Sequence, residues 1–491
     1  MSTAISTPQR LQPITGGNDP SAGSGQALSA ILRRQRDAFL KDGPPSLEAR
    51  RDALAKLKKV IQGNVQKIAA VISSDFGNRS AEETMFAEIW TTLSGIRHAR
   101  SHLRKWMKPK RVGVALELMP GRAYIQYQPL GVVGIISPWN YPIQLSMLPL
   151  MAAIAAGNRV MLKPSELTPN TSALLAELLG SVFPAEQVAV VQGGPEVGEA
   201  FSRLPFDHLL YTGSTSIGRQ VMRAAAENLT PVTLELGGKS PCIVAEDTPL
   251  SSAAESIAFG KLLNAGQTCI APDYAMVPAA RRDEFVRAIE ATVRKFYPNL
   301  KSNPDYTSIV NDRHYRRLSG YIEEAKSKGA QVIEINPAGE SLETSARKIV
   351  PTLVIDPADD LSVMCEEIFG PILPIKTYHR LDEVVDFINR RPRPLALYYF
   401  GVDPKPREEV LQRTISGGVS VNETLMHCVA ENLPFGGVGA SGIGAYHGET
   451  GFQTFSHRKG VFVQSRFNSG ALMHPPFGRI AKTMLKFLLM R

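Results

Sequence analysis

The sequence predicts an α/β protein made of two doubly wound parallel-sheet domains and a β-hairpin arm. Three observations carry this. From about residue 131, short apolar runs alternate with amphipathic helical patterns, as parallel strands covered by helices on both faces require. The same alternation begins again near Cys242-Ile243-Val244 and continues to about Val421. Before the first round, Val112–Leu118 and Ala123–Leu130 flank Pro120-Gly121 and read as a hairpin protruding from the body. A length of 491 residues with 43% hydrophobic content suits two such domains and an arm.

In chain order, residues 1–27 are rich in Ser, Thr, Gly, Pro and Gln, carry only Arg10 and Asp19 as charges, and have no apolar core of a signal peptide, so they read as a loose tail. Leu28, Ile31, Leu32, Ala38 and Phe39 recur at helical spacing, and after Pro44-Pro45-Ser46 the pattern resumes from Leu54 to Ile72. Ser80 followed by Glu83 is a capping box opening a third amphipathic helix through Met85, Ile89 and Trp90. The first α/β round places strands at Gly131–Ile136, Arg159–Leu162, Val188–Val191 and Leu209–Tyr211. Its helices follow Pro142, a cap at Asn170, Pro195 and Ser216. The second round has helices at 251–263, 281–296, 312–328, 382–390 and 405–414. No charge occurs from Ala123 to Asn158, yet Pro129, Pro138, Pro142 and Pro149 interrupt the stretch too often for a membrane span, so it reads as buried interior.

Composition excludes several function classes. The net charge of +9 and pI near 9.3 come from scattered side chains without a basic block, which speaks against nucleic acid. The four cysteines, Cys242, Cys269, Cys365 and Cys428, form no C-x-x-C pair. They indicate neither a metal site nor a disulfide framework, and a reducing, cytoplasmic setting is expected.

Chemistry gathers around Asn264-Ala-Gly-Gln-Thr-Cys-Ile-Ala271, where Cys269 stands among small neutral residues beside Gly266. With Glu235 in Leu234-Glu-Leu-Gly-Gly-Lys239, Asn140 in Pro138-Trp-Asn-Tyr-Pro142 and Glu367 in Glu366-Glu-Ile-Phe-Gly-Pro371, a thiol, an amide and two carboxylates make a reaction centre. The literal G-x-G-x-x-G at Gly437–Gly442 follows a polar loop and is rejected as a dinucleotide fingerprint. The turn Tyr211-Thr-Gly-Ser-Thr-Ser-Ile-Gly218 is the better anion site, because Gly213, Ser214 and Gly218 lie between a strand and a helix N-terminus. Lys163 and Glu166 end the neighbouring strand, where an ammonium and a carboxylate can hold a ribose. Cys365 precedes two acids and reads as a packing residue. His447 is the residue that a cysteine hydrolase would need, but nothing in the sequence pairs it with Cys269.

Together with Pro434-Phe-Gly-Gly-Val-Gly439, Ala445-Tyr-His-Gly448 and Phe455-Ser-His457, these motifs resemble the NAD(P)-dependent aldehyde dehydrogenases from about residue 40 to 465. Within that family the chain is most similar to the dimeric class acting on hydrophobic and aromatic aldehydes, and there to bacterial coniferyl aldehyde dehydrogenases. The resemblance implies the aldehyde dehydrogenase-like fold: an NAD-binding domain at 28–111 and 131–238, a catalytic domain at 239–421, and an oligomerisation arm at 112–130 and 455–470. It also implies Cys269 as nucleophile, Glu235 as general base and Asn140 as oxyanion donor. Lys163 and Glu166 would hold the adenosine ribose, and Glu367 and Phe369 would lie beside the nicotinamide ribose. NAD is the expected cofactor, with NADP as the alternative, and no metal is expected. Adjacency to the motifs suggests Tyr141, Ile270, Leu425 and His427 as substrate contacts. Members that pass the acyl group to coenzyme A usually lack the glutamate base, so Glu235 argues for hydrolysis to the acid. A homodimer and a small-molecule aldehyde are the expected partners. The tail 478–491 reads as an amphipathic helix of about 21 Å, too short to span a bilayer. It is expected to pack on the enzyme, with a peripheral membrane contact as the less favoured reading.

Overall fold

The structure, a computed structural model, describes residues 20–466, 470–471 and 474–490. Its three-stranded antiparallel sheet holds β1 (Lys110–Val112), β2 (Arg122–Pro129) and β16 (Ser456–Val463). The first mainly parallel sheet contains β3 (Val132–Ile136), β4 (Arg159–Lys163), β5 (Val188–Val190), β6 (His208–Thr212) and β7 (Val232–Glu235). With β15 (Gly442–Ile443) returning as an antiparallel edge, its order is β15-β7-β6-β3-β4-β5. The second sheet contains β8 (Pro241–Val244), β9 (Tyr274–Pro278), β10 (Gln331–Glu334), β11 (Thr352–Ile355), β12 (Ile372–Tyr378), β13 (Ala396–Phe400) and β14 (Gly418–Val421). It runs β10-β11-β12-β9-β8-β13-β14, parallel except for β10.

Strand register decides where chemistry can occur. Ile136 pairs with both Lys163 and Tyr211, and Thr212 pairs with Glu235, so the carboxyl ends of β3, β4, β6 and β7 form one edge. That edge is where ligands bind in open α/β sheets. Every residue of β3 is buried, and the helix Gln144–Ala156 is buried from Leu145 to Ala156, which accounts for the charge-free stretch as interior between layers. No helix among the described residues is long and apolar enough to cross a membrane.

The second-round helices lie within one residue of expectation, but four local readings differ. The first helix is Pro20–Asp42, so it takes in the end of the expected 1–27 tail, of which residues 1–19 lie outside the described residues. Thr168, not Asn170, precedes the helix Pro169–Gly180. The acceptor for its first N–H groups comes from Asp75 on a neighbouring helix, at 3.1 Å from Asn170 N and 2.8 Å from Thr171 N. Leu116–Leu118 is a 3-10 turn, and β2 takes its long partner from β16, far along the chain, pairing from Ser456↔Pro129 to Val463↔Arg122. The helix after Ser80 becomes a π-helix over Thr84–Trp90, which leaves Trp90 44% exposed. At its end carbonyls also accept hydroxyls, Thr91 donating to Ala87 O at 2.6 Å and Thr92 to Glu88 O at 2.6 Å. The expected arm segment 455–470 includes 467–469, and the tail includes Arg491, all outside the described residues.

Asn158 ties the antiparallel sheet to the first parallel one. Its buried side chain accepts from Leu130 N at 2.7 Å and Gly131 N at 3.0 Å, and donates to Phe455 O at 2.8 Å. Asn158→Ala leaves these groups unpaired and is expected to cost about 2–4 kcal/mol of stability, read as a lower urea midpoint. An unchanged midpoint would contradict the role.

Candidate active site

Cys269 lies between the helix Leu250–Leu262 and β9, on a loop whose backbone is unusual. Asn264, Ala265 and Gly266 all have left-handed conformations, with φ of 55°, 50° and 76°. Such conformations cost free energy in Asn and Ala and persist only where the surroundings impose them. The surroundings do so here. Glu83 accepts the Asn264 N–H at 3.1 Å, and the Asn264 amide donates to Asn140 O at 3.0 Å and Gln267 O at 3.2 Å. The Gln267 amide donates to Asn264 O and Ser308 O and accepts from Val310 N at 3.0 Å. A side chain at Gly266 would meet the Gly370 carbonyl at 2.3 Å, so the loop admits only glycine there.

Asn140 is set against this loop by an ion pair that the sequence does not announce. Arg79 and Glu88, both fully buried, approach to 2.9 Å, and the Arg79 guanidinium also donates to Asn140 O at 2.9 Å. The second Glu88 oxygen accepts Ile143 N at 2.7 Å and Gln144 N at 3.2 Å, fixing the start of the helix Gln144–Ala156. One N–H of the Asn140 amide donates to Gln267 O at 3.1 Å, which leaves the other for a ligand oxygen.

Cys269 opens on a narrow apolar cavity of about 60 Å³ shared with Tyr141, Ile270, Leu425, Phe435 and Tyr446. Tyr141 is fixed by Thr268, hydroxyl to hydroxyl at 2.7 Å. Of the four suggested substrate contacts, His427 is not in this lining. Its Nδ1 is 2.9 Å from Ser420 Oγ and its ring lies behind Phe435, because the 3-10 turn Met426–Cys428 points it back to β14. His447 does line the cavity, stacked on Phe435 at 5.1 Å. Burial, then His427, lowers its pKa to about 4, so it is neutral and offers Cys269 no counter-charge. Cys365 is exposed at the end of the helix Ser362–Cys365, not packed.

Burial first, then the neighbouring Glu367, Cys428 and Glu235, push the Cys269 thiol far above its ordinary range. Glu235, at the end of β7, is 2% exposed, and neither carboxylate oxygen has a hydrogen-bond partner; burial raises its pKa strongly. Glu367 is pushed up to about 8 by burial and by Asp273. Lys239 holds this region: it pairs with Asp273 and donates to Val363 O at 2.8 Å and Glu366 O at 2.9 Å, while Asp273 accepts Ile368 N at 3.0 Å. Phe369, with φ of 52°, packs edge-on against Trp139 at 5.4 Å. The sequence reading missed Arg79, Glu83, Glu88 and Asp273 as parts of the site, although charges on an otherwise apolar helical segment were a usable signal for Glu83 and Glu88.

The sheet edge fits a dinucleotide. Lys163 donates to Glu166 at 2.8 Å. Partial burial acts to raise the Glu166 carboxyl, but the Lys163 hydrogen bond and charge outweigh it and hold the group below its ordinary pKa. Gly213 N donates to Glu235 O at 3.0 Å, and Ser214 caps the helix Thr215–Ala226. Gly218 lets that helix approach, since a Cβ there would lie 2.6 Å from Leu236. Thr212 Oγ1 is buried without a partner at the same edge. Among the described residues, no group of three or more His, Cys, Asp or Glu side chains is arranged to hold a metal.

Three comparisons bear on this geometry. The model of the aldehyde dehydrogenase family matches residues 18–461. A Pseudomonas aeruginosa protein named "Probable coniferyl aldehyde dehydrogenase" is 52% identical over 464 residues, 94% of this chain and 96% of that one. The substrate-bound structure of Staphylococcus aureus AldH superposes with a TM-score of 0.88 at 41% identity, covering 94% of this chain and 99% of that one. The NAD+ complex of a Bacillus cereus aldehyde dehydrogenase gives 0.81 at 29% identity, covering 90% and 89%.

In the free chain Cys269 should alkylate slowly with iodoacetamide. Because its pKa is raised, the rate should keep climbing from pH 7 to pH 9 without a plateau. A plateau below pH 9, assigned to Cys269 by peptide mass, would contradict the protonated thiol.

Proposed function

The chain belongs to the aldehyde dehydrogenase family, and from that membership and the site we propose that it oxidises a planar aromatic aldehyde such as coniferyl aldehyde, using Cys269 as nucleophile. As a family member it is an NAD(P)-dependent oxidoreductase that converts an aldehyde to the carboxylic acid. The observation that carries the finer reading is the cavity. Cys269 meets it among Tyr141, Phe435 and Tyr446, a narrow apolar surface lined by aromatic rings and suited to the flat conjugated chain of such an aldehyde. The named substrate of the Pseudomonas aeruginosa relative points the same way.

In this reading Cys269 Sγ bonds to the aldehyde carbon, and the carbonyl oxygen becomes an alkoxide that takes the free Asn140 amide N–H and the Cys269 backbone N–H. NAD, when bound, would supply the positive charge that favours the Cys269 thiolate and the acceptor for the hydride leaving the thiohemiacetal carbon. The product on Cys269 is a thioester. Glu235, buried and without a hydrogen-bond partner among the described residues, takes a proton from water as the water oxygen attacks the thioester carbon and the thiolate departs. Lys163 and Glu166 would hold the adenosine ribose, Gly213, Ser214 and Gly218 the pyrophosphate, and Glu367 and Phe369 the nicotinamide ribose. The three-stranded sheet would serve as the arm of a homodimer, and the four free thiols suit a reducing cytoplasm.

Cys269→Ala should lose both aldehyde oxidation and ester hydrolysis, to below about a thousandth of wild type. Glu235→Gln should give a burst of NADH and then slow turnover; wild-type turnover would move the base elsewhere. For the cofactor, the carboxylate of Glu166 should repel a 2′-phosphate, so kcat/KM favours NAD, and Glu166→Gln narrows that preference. Equal values for both cofactors in both forms would remove Glu166 from the choice.

A further inference from the structure

Three large aromatic side chains stand in water where the cavity begins. Phe86 is 40%, Trp90 44% and Phe259 36% exposed. The Phe86 and Trp90 rings are nearly parallel, 9° apart with centroids at 5.7 Å, and Phe259 meets Phe86 edge-on at 6.5 Å. Phe86 also lines the cavity that Cys269 lines, together with the half-exposed Met426. The patch is therefore continuous with the reaction site. Contiguous exposed aromatics are costly in water and mark places that a ligand or partner covers.

The size of the cavity says which part of a substrate would reach them. A volume of about 60 Å³ accommodates about four to six water-sized groups. That is room for an aldehyde carbon and a short chain, but not for a substituted ring beyond a propenal chain. We propose that Phe86, Trp90 and Phe259 form a rim subsite that binds the distal, planar part of elongated conjugated aldehydes and so selects them over flexible chains of equal length. A flat tail adds to the parallel Phe86–Trp90 stack as a further offset layer. A saturated tail of the same length gains area but loses rotamer freedom on ordering. Phe86 and Trp90, four residues apart on the π-helical segment, share its outer face, while Ala87 and Glu88 are buried on the inner one.

This inference rests on the aromatic-aldehyde reading, and one experiment separates the two. The purified full-length enzyme, Trp90→Ala, Trp90→Phe and Phe259→Ala are assayed with coniferyl aldehyde, n-nonanal and propanal under saturating NAD, with oligomeric mass measured by light scattering. Trp90→Ala should lose about five- to tenfold in kcat/KM for coniferyl aldehyde, mostly through KM, and change less than about twofold for propanal. Trp90→Phe should restore most of the loss, and Phe259→Ala should act in the same direction. If wild type oxidises coniferyl aldehyde but the variants lose all three substrates in parallel, or lose none, the rim subsite is wrong. A changed oligomeric mass with unchanged selectivity overturns it too and makes the patch a contact between copies. If wild type oxidises nonanal and propanal but not coniferyl aldehyde, the aromatic reading itself has failed.

Discussion

The buried pair of Arg79 and Glu88 is the constraint on which the site depends. Two opposite charges without solvent access would be costly, and they are tolerated because each also serves the backbone: Glu88 takes the N–H groups of Ile143 and Gln144, and Arg79 takes the carbonyl of Asn140. Removing either partner leaves an uncompensated charge in the interior, typically at about 3–5 kcal/mol. Asn140 in turn holds Asn264 and Gln267, and these hold three successive left-handed residues ahead of Cys269. A loop arginine and a helix glutamate remote from Cys269 in sequence thereby set both the amide and the thiol loop.

The interior of the site is also electrostatically uniform. Burial moves Cys269, Glu235 and Glu367 toward their neutral forms, and the two carboxylates add to the cost of ionising Cys269. Lys261 is buried nearby with no hydrogen-bond partner, its amine pushed down to about 8 by burial. Such a cleft is poised to respond to a single cation, which makes the thiolate and both carboxylates easier to form at once. The charge of the cofactor and the reactivity of the nucleophile are then one coupled equilibrium.

Much of this was legible in the residues, and the rest was hidden for identifiable physical causes. Cys269, Glu235, Asn140, Lys163 and Gly213 sit in short motifs whose local chemistry speaks for itself, and the alternation of apolar runs and helices located the sheets. The long partner of β2 was hidden because hairpin logic looks nearby, whereas β16 comes from the other end of the chain. Asn170 looked like a cap because it is polar and well placed, but Asp75 from another helix supplies the acceptor. His427 stood beside the right motif and was turned away by a single 3-10 turn. Trp90 fitted an ordinary helical period, and nothing in that period signals a π-turn.

That π-turn also bears on how this chain tolerates insertion and deletion. Its i→i+5 pattern holds one residue more than an α-helix would between the Ser80 cap and Thr91. Deleting any one residue of the segment restores the α pattern and rotates the turns on its N-terminal side by about 100° relative to those on its C-terminal side. Glu88 and Arg79 would no longer face each other, and the Phe86–Trp90 pair would be re-aimed relative to the cavity mouth. The extra residue thus joins the support of the Asn140 loop to the shape of the cavity mouth. Relatives whose chains are one residue shorter here must build both differently.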